Sequence, residues 1–84
     1  MGELSNHINI GRVLEEQLHS VGINTFDALK KTGSREAWLK IRGIDPSACY
    51  NRLCALEGAI RGVRWHDLPD EAKAELKDFY RSFR

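Results

Sequence analysis

The stretch from Cys49 to Trp65, CYNRLCALEGAIRGVRW, constrains the fold of this chain more than any other. Within it Cys49, Leu53, Leu56, Ile60 and Val63 recur at steps of four, three, four and three. That spacing lays one apolar stripe along an α-helix, whereas a strand would alternate every second residue. An apolar stripe needs cover, so the segment is expected to form a central helix with the remaining helices packed around it. Gly58 interrupts it at a cost of about 1 kcal/mol relative to alanine. A residue without Cβ suits close approach of a neighbouring helix, which gives the glycine a reason.

The same periodicity appears on both sides. Leu4 and Ile8 are expected anchors in an otherwise polar start. Ile10, Leu14, Leu18 and Val21, with Val13 beside them, predict a first helix that begins near Asn9 and stops at Gly22. Ile23 is then expected to turn back onto the core. Thr25 can cap a short helix bearing Phe26 and Leu29, and Ser34 a third helix with Ala37, Trp38 and Ile41 inward, ending at Gly43. Asp45-Pro46 reads as the start of the central helix, a capping carboxylate followed by proline at the first helical position. That helix should end at Arg61 or Gly62.

Pro69 opens a last helix, with Asp70 and Glu71 at the dipole's positive end and Arg81 near the other. Ala72, Leu76, Phe79 and Phe83 form its stripe. No alternating strand pattern is present. The sequence therefore predicts an all-α, compact five-helix single domain with short connections around a central helix. Its expected core holds Leu14, Leu18, Trp38, Leu53, Leu56, Gly58, Ile60, Trp65, Leu76 and Phe79.

A chain of 84 residues builds one core, with a radius of gyration of about 12 Å. A shallow groove fits such a body, and an enclosed active site hardly does. The net charge of +1 makes no case by itself for nucleic acid or membrane. No apolar run approaches the roughly 18 residues of a membrane span, and no signal peptide is visible. Two cysteines in that setting read as reduced thiols of a cytosolic protein. Cys49 and Cys54, five apart on a helix, point in different directions and cannot bridge.

His7, His19 and His66 are scattered and supply no zinc set. His66-Asp67 lacks an identifiable nucleophile, and no glycine-rich phosphate loop of the Walker or dinucleotide kind occurs. The expectation is no catalytic residue, no cofactor and no metal. Cys54, between Leu53 and Ala55, reads as a small buried apolar residue, and a thiol-dependent redox role for Cys49 is a minor third reading. Trp38, Tyr50 and Tyr80 are the aromatics to check for an exposed contact, with core packing the default for Trp38.

Two loops carry a possible nucleic-acid chemistry. A helix-hairpin-helix motif joins two helices through a Gly-apolar-Gly turn whose backbone N–H groups, at a helix N-terminus, face a DNA phosphate. Gly43-Ile44-Asp45 resembles that turn but puts a carboxylate at the second glycine, where it would repel phosphate and compete for the same donors. Asn9-Ile10-Gly11 keeps the second glycine and lacks the first. Helix capping alone is the favoured account of both turns.

Between Lys30 and Arg64 eight basic residues face three acidic ones, a local +5 against −4 elsewhere. This basic middle leaves DNA as an alternative, with Gly11, Arg12, Lys40, Arg42, Gly43 and Arg52 as candidate contacts. Against it, Arg52 and Arg61 lie on opposite faces of one helix, and Glu57 and Arg61 are placed to pair.

Taken together, Ile8-Asn9-Ile10-Gly11-x-x-Leu14, Val21-Gly22-Ile23 with Thr25-x-x-x-Leu29, and Leu56-Glu57-Gly58-Ala59-Ile60-Arg61-Gly62-Val63-Arg64-Trp65 with Leu68-Pro69 resemble the C-terminal domain of TfoX/Sxy-type proteins. These include bacterial regulators of competence for DNA uptake. The resemblance spans nearly the whole chain and is most specific from Leu56 to Pro69. It implies an all-helical domain related to helix-hairpin-helix folds, a role in transcriptional regulation, and no catalytic residues. The α+β domain that usually precedes it in TfoX-type proteins has no counterpart in this sequence, so residues 1–84 look like the C-terminal domain alone. The resulting expectation is a cytoplasmic, non-enzymatic regulatory module acting through a protein partner or a second copy of itself. Weak, sequence-nonspecific DNA binding is the alternative.

Overall fold

Three of the helices, α1 (Arg12–Ser20), α2 (Phe26–Thr32) and α4 (Tyr50–Arg61), end at a glycine of positive φ, Gly22, Gly33 and Gly62. The computed structural model describes residue 4 and residues 7–82. Among these, the elements run α1 (Arg12–Ser20), α2 (Phe26–Thr32), α3 (Ser34–Ile44), α4 (Tyr50–Arg61), a short 3-10 turn (Trp65–Asp67) and α5 (Asp70–Arg81). No strand occurs among the described residues, and the fold is all-helical.

Two of the stops share one geometry. Past α1, Gly22 takes φ 88° while Ile23 N–H donates to Leu18 O at 2.8 Å and Gly22 N–H to His19 O at 3.1 Å. Past α4, Gly62 takes φ 78° while Val63 N–H donates to Gly58 O at 2.9 Å and Gly62 N–H to Ala59 O at 3.2 Å. In each case the left-handed residue lets the chain reverse and satisfy carbonyls that the helix leaves open. The reversal sends Ile23 into the core, as its position after Gly22 predicts.

The central helix is α4. It packs on α2, α3, α5 and the 3-10 turn, while α1 packs mainly on α3 and is bonded to α4 through Gln17 and Arg52. Leu53, Cys54, Leu56 and Ala59 are its buried face, meeting Trp38 and Ile41 of α3 and Leu76 of α5 in one core cluster. Trp38 is fully buried, donates from Nε1 to Cys49 O at 3.2 Å, and lies edge-on to Phe79 and Tyr80. Ile60, Trp65 and Phe79, expected in the core, are half-buried against it; Leu14, Leu18, Trp38, Leu53, Leu56, Gly58 and Leu76 are buried. The radius of gyration is 11.6 Å, in line with the value chain length sets.

Several boundaries differ from the sequence reading. The central helix begins at Tyr50 and not at Asp45-Pro46. Asp45 spends its carboxylate on Ser47, accepting from that residue's N–H at 3.0 Å and hydroxyl at 2.6 Å, which closes a separate turn before the helix. Cys49 is therefore an exposed N-cap residue outside the buried stripe.

The first helix begins at Arg12, because Asn9 adopts φ 71° and cannot serve as its N-cap. Ser34 is the first residue of α3 and its hydroxyl donates across to Glu57 Oε1 at 2.5 Å; Gly33 occupies the cap position. Thr25 does cap α2, accepting from Ala28 N–H at 3.1 Å. Ile8, an expected anchor, is 37% exposed, whereas Leu4 is buried. Phe83, the last position of the α5 stripe, lies outside the described residues.

Gly58 is buried mid-helix, and its neighbour is not another helix. A Cβ there would stand 2.5 Å from Asn9 Nδ2, 2.7 Å from Val63 O and 3.2 Å from Trp65 Cα. The missing side chain thus makes room for a clasp. Asn9 Nδ2 donates to Val63 O at 2.8 Å, and Asn9 Oδ1 accepts from Trp65 N–H at 3.3 Å. One amide, 54 and 56 positions away in sequence from its partners, ties the start of the chain to the turn after α4.

Candidate interaction groove

The clasped turn leads directly into a surface concavity. Asn9 takes the left-handed conformation, Ile10 tucks into the core at 4% exposure, and Gly11 stands as N-cap of α1. Beside it runs the start of α4 with Cys49 as its N-cap. Between the two helix starts lies an open groove of about 430 Å³. Leu14, Ala55, Cys49 and Val13 give it apolar walls; Arg12, Arg52, Asn9 and Asn51 supply polar groups. Val13 is 64% exposed, a large apolar side chain left in water at the groove's edge.

Its electrostatics follow from the helix starts. Neither Gly11 nor Cys49 caps its helix through a side chain; the first turn of α4 has no acidic residue, whereas that of α1 holds the buried Glu15. The first N–H groups of a helix lack intrahelical partners and carry partial positive charge, so the start of α4 lends the groove positive potential and the start of α1, with Glu15 in its first turn, lends less. Among the described residues, two guanidinium groups and no carboxylate line it. Arg52 is partly spent: its Nη1 donates to Asp45 Oδ2 at 3.0 Å and to Gln17 Oε1 at 3.2 Å. Gln17 Nε2 donates to the same Asp45 oxygen at 2.8 Å. The Ser47 hydroxyl, Arg52, the Ser47 N–H and Gln17 together hold the Asp45 carboxyl well below the usual carboxylate range. Arg12 is exposed and enters no ion pair among the described residues.

Of the six candidate contacts read from the sequence, the groove gathers Gly11, Arg12 and Arg52. Lys40, Arg42 and Gly43 lie on the last turns of α3 and do not line it. The Arg42 guanidinium lies 5.5 Å from the Trp38 ring centroid. Other bases of the middle segment are similarly engaged: Lys30 over Phe26, Arg35 over Phe79, and Arg61 with Glu57 at 2.6 Å. Burial pushes the Glu57 carboxyl up, but the Ser34 hydroxyl and Arg61 outweigh it and the net direction is down. The local +5 of the sequence is thus spread over several faces and partly neutralised.

Asn9, Val13, Asn51 and Ala55 escaped the sequence reading as groove residues. For Val13 a signal existed, since it is an apolar residue one step off the Ile10–Leu14–Leu18 stripe.

The other chemistry-bearing groups are structural. Burial pushes the Tyr50 hydroxyl up to about 12, with the Cys54 sulfur adding to it, and the group donates to Lys73 O at 3.0 Å. Burial also raises the Cys54 thiol. His66 stacks on Trp65 at 3.9 Å. Among the described residues no three of His, Cys, Asp and Glu gather as a metal site would require. No helix among the described residues is long and apolar enough to cross a membrane.

Comparisons with known proteins agree with this architecture. Two crystal structures of proteins from Listeria monocytogenes superpose closely. One, an uncharacterized protein in a triclinic form, is 50% identical with a TM-score of 0.94, covering 95% of this chain and 91% of that one. The other, a protein of unknown function in a tetragonal form, is 49% identical with a TM-score of 0.95, covering 98% of this chain and 100% of that one. No curated protein matches. Residues 1–80 match the family of the TfoX C-terminal domain, and the chain, an all-helical body of five helices with α4 at its centre, belongs to that family.

Proposed function

We propose that this domain is a non-enzymatic interaction module of bacterial regulatory type, working in the cytoplasm through protein–protein contacts. The observation that carries the reading is the open groove between α1 and α4, with apolar walls and Val13 largely exposed at its edge. Exposed apolar surface rimmed by polar groups is what a protein partner covers. TfoX C-terminal domains are a non-enzymatic family, and the role in transcriptional regulation of competence implied by the resemblance is compatible with such a surface. Sizing combined with crosslinking tests the reading. A dimer of the chain, or one defined protein recovered in stoichiometric amount, supports it. A strict monomer that recovers no protein overturns it.

A second reading, nonspecific DNA binding, is favoured by one observation: Asn9–Gly11 has the left-handed residue, buried apolar residue and open helix start of a phosphate-binding turn, with Arg12 next to it. Such binding would fall steeply with salt as counterions are released, and would weaken further in Arg12→Glu. No retention on DNA at low salt eliminates it.

A further inference from the structure

We infer that the groove between the starts of α1 and α4 takes an extended or helical protein segment that combines apolar side chains with carboxylates. This rests on the interaction-module reading and specifies the partner's chemistry. The argument is one of complementarity. An apolar side chain seated between Leu14, Ala55 and Val13 removes exposed hydrocarbon from water. Among the described residues no carboxylate lines the groove, the start of α4 carries no acidic residue to offset its positive end, and Arg12 enters no ion pair. A carboxylate at that rim accepts from Arg12 and from first-turn N–H groups, which are charge-assisted bonds. Asn51, exposed at the start of α4, adds an amide that can pair with a segment's backbone.

Two competing occupants fit less well. A phosphodiester backbone would leave Val13 and Ala55 without apolar contact, and it would meet the Arg12 guanidinium beside a second one already shared with Asp45. Tight backbone binding draws on many cations. A second copy of this chain offers an acidic stripe on α5, with Glu71, Glu75 and Asp78 exposed. That stripe's exposed apolar neighbour is Ala74, and its large ones, Phe79 and Tyr80, are half-buried against Trp38, so it brings little for the apolar wall.

Amide shifts of the full chain, read by NMR, test the inference with three probes: a labelled peptide alternating leucine with glutamate, the same peptide with lysine in place of glutamate, and a random-sequence DNA duplex. The acidic peptide should shift Arg12, Val13, Asn51 and Arg52, and the basic one should not. Arg12→Glu and Val13→Asp each should weaken the acidic peptide by about tenfold. Both residues are exposed, so their thermal midpoints should stay near that of the parent, and this separates lost binding from lost folding. Four results overturn the inference: no shifts at the groove, equal response to the basic peptide, stronger response of the same amides to DNA, or shifts that grow with protein concentration alone. Should crosslinking recover a defined partner whose capture is unchanged by Val13→Asp, this inference fails and the module reading stands. Recovery of no partner at all removes the reading beneath it.

Discussion

Two turns of this molecule look alike in sequence and differ in build. Asn9-Ile10-Gly11 and Gly43-Ile44-Asp45 each place an isoleucine between small or polar residues ahead of a helix. In the first, the isoleucine is buried and the following glycine leaves an open helix start. In the second, Gly43 still belongs to α3, Ile44 is 53% exposed, and Asp45 closes its own turn onto Ser47. The turn that lacks the motif's first glycine thus has the better geometry for receiving a ligand. An asparagine can enter the left-handed region, and here its side chain is held at both ends. A glycine at Gly43, by contrast, sits in ordinary helix and contributes nothing special.

The largest expected effect compares the two isoleucines. Ile10→Ala should cost about 2–5 kcal/mol, as truncations of buried aliphatic residues do. Ile44→Ala should stay within about 0.5 kcal/mol, as exposed substitutions do. Denaturant midpoints at constant slope measure both. Equal costs would mean that the two turns are built alike, which would end the contrast.

Gly58→Ala should come next, and its effect should be confined to the first turn. The new methyl meets an amide and a backbone carbonyl, and overpacking of this kind costs about 1–3 kcal/mol, offset in part by the roughly 1 kcal/mol that alanine gains in a helix. A net loss should therefore appear, with amide shifts at Asn9 and Trp65 and little change around Ser47. Stabilisation by this substitution would show that the asparagine clasp does not depend on the space Gly58 leaves.

How far the sequence revealed all this depends on the kind of interaction. Stripes such as Leu53–Leu56 and Leu14–Leu18 report local helical period and burial, so the five helices and the central position of α4 were legible. The stops at Gly22 and Gly62 were legible for the same reason, since they close within six residues. The start of α4 was not. Asp45-Pro46 satisfies the rules for a helix start, but one carboxylate oxygen closes a local turn onto Ser47 and the other is held by Gln17 and Arg52, 28 and 7 positions away. The groove was legible only in part. Arg12 and Arg52 were recognisable as cations, while the clasp that sets their surroundings joins residues 54 and 56 positions apart, which no local pattern encodes.

The smallest effect separates the two turns by what holds them. Asn9 clasps the first through an amide, which does not titrate, whereas Asp45 holds the second through a carboxylate. Because the Ser47 hydroxyl, Arg52, the Ser47 N–H and Gln17 depress the folded-state pKa of Asp45, its ionised form stabilises the fold above the ordinary value of 3.8. That contribution is lost as the pH falls from there toward the lower folded-state value, and it is constant from pH 5 to about pH 8. The difference in thermal midpoint between the parent and Asp45→Asn should accordingly be steady near neutrality and shrink below about pH 4. The difference between the parent and Asn9→Ala should keep one value across the same range. Glu57 shifts in the same direction as Asp45, but it is present in all three chains and cancels from both differences. If the Asp45→Asn gap survives acidification undiminished, the second turn is held by chain geometry and not by charge, and the two turns are clasped in the same way after all.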